Sequence, residues 1–213
     1  MRYFLLFQTS TVLMSLIYYN GWSSGSGICS YLLTTEPDLI RSYILAGSGI
    51  GKSFETLIKE KITKSYFQNN IFLYVNTEEG PRESGLIRFN KTIESINPNR
   101  LIRKFEIVKK SHLGAMQIEL VEGLKFIFSD FYIPTEEGSK GFEEVQNYYN
   151  EVKNKYNFEF DIPVVAINES SGILYYQNKK DDAIKLLNYG IELYPFSATL
   201  YGSLAEIYKT DHN

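Results

Sequence analysis

Gly21-Trp22-Ser23-Ser24-Gly25 spells G-x-S-x-G, which serves serine chemistry when it joins a strand to a helix. An apolar run precedes it, and Ile28–Thr35 behind it reads as a short helix. The glycines allow a sharp turn, so the Ser23 hydroxyl can stand clear of the backbone. The helix N-terminus then favours developing negative charge, and the Ser24 N–H supplies one oxyanion donor. Outside that context the five residues read as a flexible Gly/Ser turn, because both residue types are common in loops.

A nucleophilic serine needs a base, and the base needs an orienting carboxylate. There are two histidines, and His212 is the penultimate residue, so His112 is the credible base. It follows the strand-like Phe105–Val108, in an expected loop with Ser111 and Gly114. Glu78 and Glu79 follow the strand-like Ile71–Val75, in an expected loop with Gly80-Pro81. The order serine, acid, histidine is the one such elbows use, and parallel sheets place their sites just past strand ends. A solvated loop histidine and a surface acidic turn are the plainer readings of the same residues.

A second motif competes. Ala46–Ser53 (AGSGIGKS) fits a loose phosphate loop, with Ala for the first Gly, between a strand-like and a helix-like stretch. Backbone N–H groups could cradle phosphates there, with Lys52 reaching them. A nucleotidase also needs an acidic residue ending a later strand. Asp130 is the candidate, but the stretch before it has helical periodicity.

These residues need elements to hold them. Ser42–Ala46, Ile71–Val75 and Phe105–Val108 read as strands, and Ser53–Phe67, Gly85–Ile96 and Met116–Phe131 as helices. In the last helix Leu120, Val121, Leu124, Ile127, Phe128 and Phe131 form the expected buried face. This alternation implies βαβ units, a parallel sheet and an α/β fold. Tyr3–Tyr19 is largely apolar but broken at Gln8–Thr11. It reads as a buried strand over Val12–Tyr19, a signal peptide with Arg2 as its charged end, or a membrane anchor of marginal length.

Past Ile133 the character changes. Pro134–Gly141 is a linker by composition, and Phe142–Tyr156, Val164–Gln177, Asp181–Leu193 and Ser197–Lys209 read as helices. Ala183, Leu187, Gly190 and Pro195, then Tyr201, Leu204, Ala205 and Tyr208, sit at tetratricopeptide offsets. Small residues belong there because the two helices of a unit cross closely. A plain helical tail is the other reading.

Of 213 residues, 44% are hydrophobic and 22% charged, which excludes a disordered chain, a collagen and a polytopic membrane protein. The net charge is −3, which argues against a nucleic-acid partner. Cys29 stands alone, so neither an internal disulfide nor a Cys-rich metal site is expected.

From Gly21 to Tyr208 the chain resembles an α/β-hydrolase of the esterase group related to esterase D and the enterochelin-type siderophore esterases. The matching pieces are GWSSGSG, TTEPDLIRSYILA, LYVNTEEG and SHLGAMQIELVEGLKFIFSDF, in order, with a tail similar to the helical extension of some bacterial members. The resemblance implies a serine esterase acting through an acyl-enzyme on a small ester, with no metal or organic cofactor. Ser23 resembles the nucleophile, His112 the base and Glu79 the acid, with Glu78 the alternative acid. Where the family commonly has a second glycine after the nucleophile, this chain has Ser26. Where the family has a serine-proline-serine segment, this chain has GSGIGKS.

The family's domain has several strands before the nucleophile strand, and here about twenty residues precede Ser23. The expectation is therefore a partial, N-terminally truncated hydrolase sheet over 1–133, a linker over 134–141 and a tetratricopeptide-like tail over 142–213. The alternative function is a non-catalytic remnant that binds a protein partner through the tail, and nucleotide binding at Lys52 is the third. A membrane partner is disfavoured, and the compartment stays open between cytoplasmic and periplasmic or secreted.

Overall fold

The computed structural model describes residues 18–47, 50–78, 84–109 and 111–210. The chain divides into two compact units at Ser129–Asp130.

The first unit runs β1 (Tyr18–Trp22), α1 (Ser24–Thr35), β2 (Ser42–Ala46), α2 (Ser53–Lys61), β3 (Ile71–Glu78), α3 (Gly85–Ile96), β4 (Leu101–Val108) and α4 (His112–Ile127). The described strands form one sheet in the order β1-β2-β3-β4, every pair parallel. β2 is buried throughout and β3 over all but its last residue, which is why SYILA and IFLYV are nearly unbroken apolar runs. Tyr43, Leu45, Leu73 and Val75 pack with Cys29 and Leu33 of α1, Ile58 of α2 and Phe89 of α3. α4 meets Ile44 instead, at Gly123. A Cβ there would lie 2.7 Å from Ile44 Cδ1, so only glycine lets the helix lie this close.

At one edge, β4 is half-buried over most of its length and carries the pairs Arg103–Glu94 (3.1 Å) and Lys104–Glu106 (2.8 Å). Edge charges of this kind discourage further strand pairing.

Several elements differ from expectation at their ends. β1 runs through Asn20-Gly21 to Trp22, where the sequence suggested a boundary, and most of Val12–Tyr19 lies outside the described residues with the signal-peptide and anchor readings. Among the described residues, no helix is long and apolar enough to cross a membrane. β3 extends to Glu78 and β4 starts at Leu101. α2 stops at Lys61 because Ile62 turns extended, which lets both Ile62 and Phe67 reach the core. α4 starts at His112, four residues before the expected Met116. Ser111 caps it, its hydroxyl accepting from Gly114 N–H at 3.2 Å.

The second unit holds α5 (Thr135–Gly138), α6 (Phe142–Tyr156), α7 (Val164–Tyr176), α8 (Lys180–Leu193) and α9 (Ala198–Thr210). The segment expected as a linker contains α5, and Gly138 within it packs against Ser170 of α7. The core joins Val145 and Tyr149 of α6, Ile167 and Leu174 of α7, Ala183 and Leu187 of α8, and Leu200 and Ile207 of α9. Asp130 begins this unit. Lys155 Nζ donates to its carboxylate at 2.6 Å and Tyr156 Oη at 3.0 Å, so it serves the helical packing rather than a strand end.

Candidate active site

The described candidate groups of the first unit stand at the carboxyl end of the parallel sheet. Ser23 follows β1, Gly47 follows β2, Glu78 ends β3, and His112 opens α4 after β4.

Ser23 has φ 54° and ψ −119°, a conformation that side-chain-bearing residues rarely adopt. Its surroundings hold it there. Ser23 N–H donates to the Ala46 carbonyl at 2.8 Å, and Ser26 N–H donates to the Ser23 carbonyl at 3.0 Å. The buried Ser26 hydroxyl lies 2.8 Å from the Gly21 carbonyl and 2.7 Å from that of Ala46, bracing the turn against β2. A Cβ on Gly21 would collide with Cys29 Sγ and the Gly25 carbonyl, whereas one on Gly25 would meet open space. Of the motif's two glycines, therefore, Gly21 is the one the packing requires. Ser24 is the first residue of α1, where N–H groups lack intrahelical partners and are available to an anion.

His112 reaches this turn from the start of α4, the last helix of the first unit. Its Nδ1 lies 2.9 Å from Glu78 Oε1, and its ring stacks on Trp22, centroids 4.6 Å apart and planes 29° apart. Gly47, at φ 70°, sits between the histidine and the elbow. A Cβ there would be 2.7 Å from His112 Cε1 and 3.3 Å from Ser23 N. The imidazole and the serine backbone thus flank one glycine. With Nδ1 on Glu78, Nε2 is the nitrogen left for a second partner. Of the two expected acids, Glu78 makes this bond, and Glu79 lies outside the described residues. His112 is the first residue of a helix rather than part of a loop. The signal was Ser111, an N-cap residue directly ahead of it.

Lys52 stands immediately before α2. Ser48 and Gly49 of the phosphate-loop motif lie outside the described residues, while Gly47 packs against the imidazole. Among the described residues, no group of three or more His, Cys, Asp or Glu side chains could hold a metal ion.

Behind the histidine lies a group absent from the sequence reading. The expected buried face of α4 is turned: Leu120 is 36% and Val121 50% exposed, while Glu119 is fully buried. Gly123 on Ile44 sets this rotation, since Glu119 is one turn earlier on the same side. Burial first, and the Glu78 charge second, push the Glu119 carboxyl up to about 8. Neither of its oxygens finds a hydrogen-bond partner among the described residues, nor does the buried Oε2 of Glu78.

No protein-family model matches the chain, and no curated protein does. Among solved structures, the chain is similar to the crystal structure of an IroE-like serine hydrolase from Shewanella oneidensis, with a TM-score of 0.65 and 16% identity. The match covers 81% of this chain and 59% of that one. The fold is α/β-hydrolase-like. The chain spans about three fifths of the length of that hydrolase.

Proposed function

We propose that the chain is a serine hydrolase that cleaves carboxylic esters through an acyl-enzyme. Ser23 is the nucleophile, His112 the general base and Glu78 the orienting acid, the role the resemblance alone gave first to Glu79. The observation that carries this reading is the 2.9 Å contact between Glu78 and His112 beside a serine in a left-handed turn. Three groups distant in sequence meet there at one sheet end, in the order such a site uses. The α/β-hydrolase-like fold adds a prior to this reading but no residue roles.

In this mechanism Ser23 Oγ attacks the ester carbonyl as His112 Nε2 takes the hydroxyl proton. Glu78 accepts from Nδ1–H, fixing the tautomer and stabilising the imidazolium that forms. The carbonyl oxygen gains its negative charge near Ser24 N–H and the α1 N-terminus. His112 then gives its proton to the departing alcohol. Water enters, gives a proton to His112 and splits the acyl-enzyme, and the acid product leaves with Ser23 restored.

Trp22 and Gly47 act on the imidazole: one face stacks on the indole, and the lack of a Cβ at position 47 leaves room for its edge. The tetratricopeptide-like character of the second unit is part of the same proposal. Its support is the place of Ala183 and Gly190, both buried where α8 meets its neighbours.

The test is covalent labelling of the whole chain with a fluorophosphonate, read by peptide mass spectrometry. Ser23 is expected to carry the adduct, and Ser23→Ala and His112→Ala to lose it. A folded wild-type chain that takes no label would overturn the proposal.

A further inference from the structure

Buried carboxyl groups are normally paired, and an unpaired one is costly enough that it either finds a donor or keeps its proton. Glu119 has no described partner for either oxygen and is fully buried. Glu78 uses Oε1 on His112 and leaves Oε2 buried without a described partner. Both residues face the space between α4 and the sheet. Glu119 follows His112 by seven residues, two helical turns, so the two share a face of α4. Helical side chains slant toward the N-terminus, which carries the Glu119 carboxyl back toward the His112 end of the helix. Asn76, two residues before Glu78 on the same face of β3, is buried there as well, and neither of its side-chain polar atoms makes a well-formed hydrogen bond among the described residues.

We infer that Glu119 is a positioning residue for the catalytic acid: kept as the neutral carboxylic acid, it offers its hydrogen to Glu78 Oε2 and so holds the Glu78 carboxylate against His112. This rests on the serine-hydrolase reading. Two carboxyl groups that face one buried space and feel each other's charge cannot both ionise at little cost, so one of them retains its proton. The one hydrogen-bonded to an imidazole is better placed to carry the charge, and the fully buried one to stay neutral. Among the described residues, the titratable groups on this side of the sheet are Glu78 and Tyr74 from β3, Lys104 and Glu106 from the neighbouring β4, and His112 and Glu122 on α4, while the Cys29 thiol of α1 feels the Glu119 charge. The residues β2 turns toward α4, Ser42, Ile44 and Ala46, do not titrate, and the described cation on this side, Lys104, is held by Glu106 at 2.8 Å. Among the described residues, then, a proton is what neutralises Glu119.

The experiment uses the full chain with ¹³C-labelled glutamate carboxyls. In wild type one glutamate should titrate far above the rest and vanish from the spectrum in Glu119→Gln. Glu78→Gln should lower its titration point. These readings do not depend on activity, and a Glu119 that titrates with the other glutamates overturns the inference.

Fluorophosphonate labelling rates supply the second arm. Glu119→Met keeps the length but removes the donor, and should slow Ser23 labelling on the order of tenfold, a usual size for loss of an orienting partner. Glu119→Gln restores a neutral donor and should recover most of that rate. It should also remove the decline expected in wild type as the pH rises past about 8. A folded Glu119→Met chain that labels as fast as wild type overturns the inference while leaving the hydrolase reading intact. An unlabelled wild type strikes the hydrolase reading itself.

Discussion

Gly47 is where a single methyl group should be felt most directly. Its φ of 70° disfavours any side chain by about 1–2 kcal/mol. An added Cβ would also press on His112 Cε1 at 2.7 Å and Nδ1 at 3.3 Å. The ring can give way by sliding on Trp22, but that changes its line to Ser23 and its bond to Glu78. Misplacing a catalytic group by about an ångström typically costs about 10²-fold. Gly47→Ala should therefore slow Ser23 labelling by about two orders of magnitude, while the melting temperature of the folded chain falls by only several degrees. A labelling rate equal to wild type would show that the imidazole is not held by this contact. Ser26 teaches the complementary lesson. It looked like a departure from a glycine-rich motif, yet its hydroxyl sits between the Gly21 carbonyl ahead of the turn and the Ala46 carbonyl that ends β2.

At the scale of helices and strands, small residues mark where elements approach closest. Gly190 of α8 leaves space for Ile167 of α7 and Leu200 of α9. A Cβ would sit 2.8 Å from Ile167 Cγ2 and 3.0 Å from Leu200 Cδ1. Gly190→Val gains part of the roughly 1 kcal/mol that glycine forfeits in a helix. It should lose about 1–3 kcal/mol to overpacking, more with a branched side chain. The net expectation is a loss of about 1–2 kcal/mol, read as a lower urea midpoint of the second unit with an unchanged slope. The sequence pattern pointed to Ala183 and Gly190 because small residues at fixed helical spacing stand out. It also located the buried strands, since SYILA and IFLYV are apolar on both faces. It failed for α4, where Leu120 and Val121 look like core residues and Glu119 like surface. The rotation of that helix is decided by Gly123 against Ile44, a long-range contact that no local periodicity contains. The same holds for Trp22 on His112, ninety residues apart in the chain.

For the whole molecule, the buried carboxyl sets a dependence of stability on pH. In the unfolded chain Glu119 loses its proton near the ordinary value of 4.5, whereas in the fold it holds the proton up to about 8. The folded state binds more protons across that window, so stability falls as pH rises from about 4.5 to 8 and this contribution levels off above it. The amount at stake is on the order of a few kcal/mol. Glu119→Gln keeps the shape and removes the titration. Its urea midpoint should change less between pH 5 and 8 than that of wild type, and exceed it at the upper end. Parallel slopes for the two proteins would show that other groups dominate.

The backbone at Ser23 bears on whether such a chain works or merely persists. Glycine would occupy φ 54° without the penalty that serine meets there, a difference on the order of 1–3 kcal/mol. A protein free of any chemical duty has a one-residue route to greater stability at this position, and that route removes the hydroxyl proposed as the nucleophile. Tension in the main chain and the proposed capacity to react are held by the same residue, so on this proposal neither is relaxed without surrendering the other.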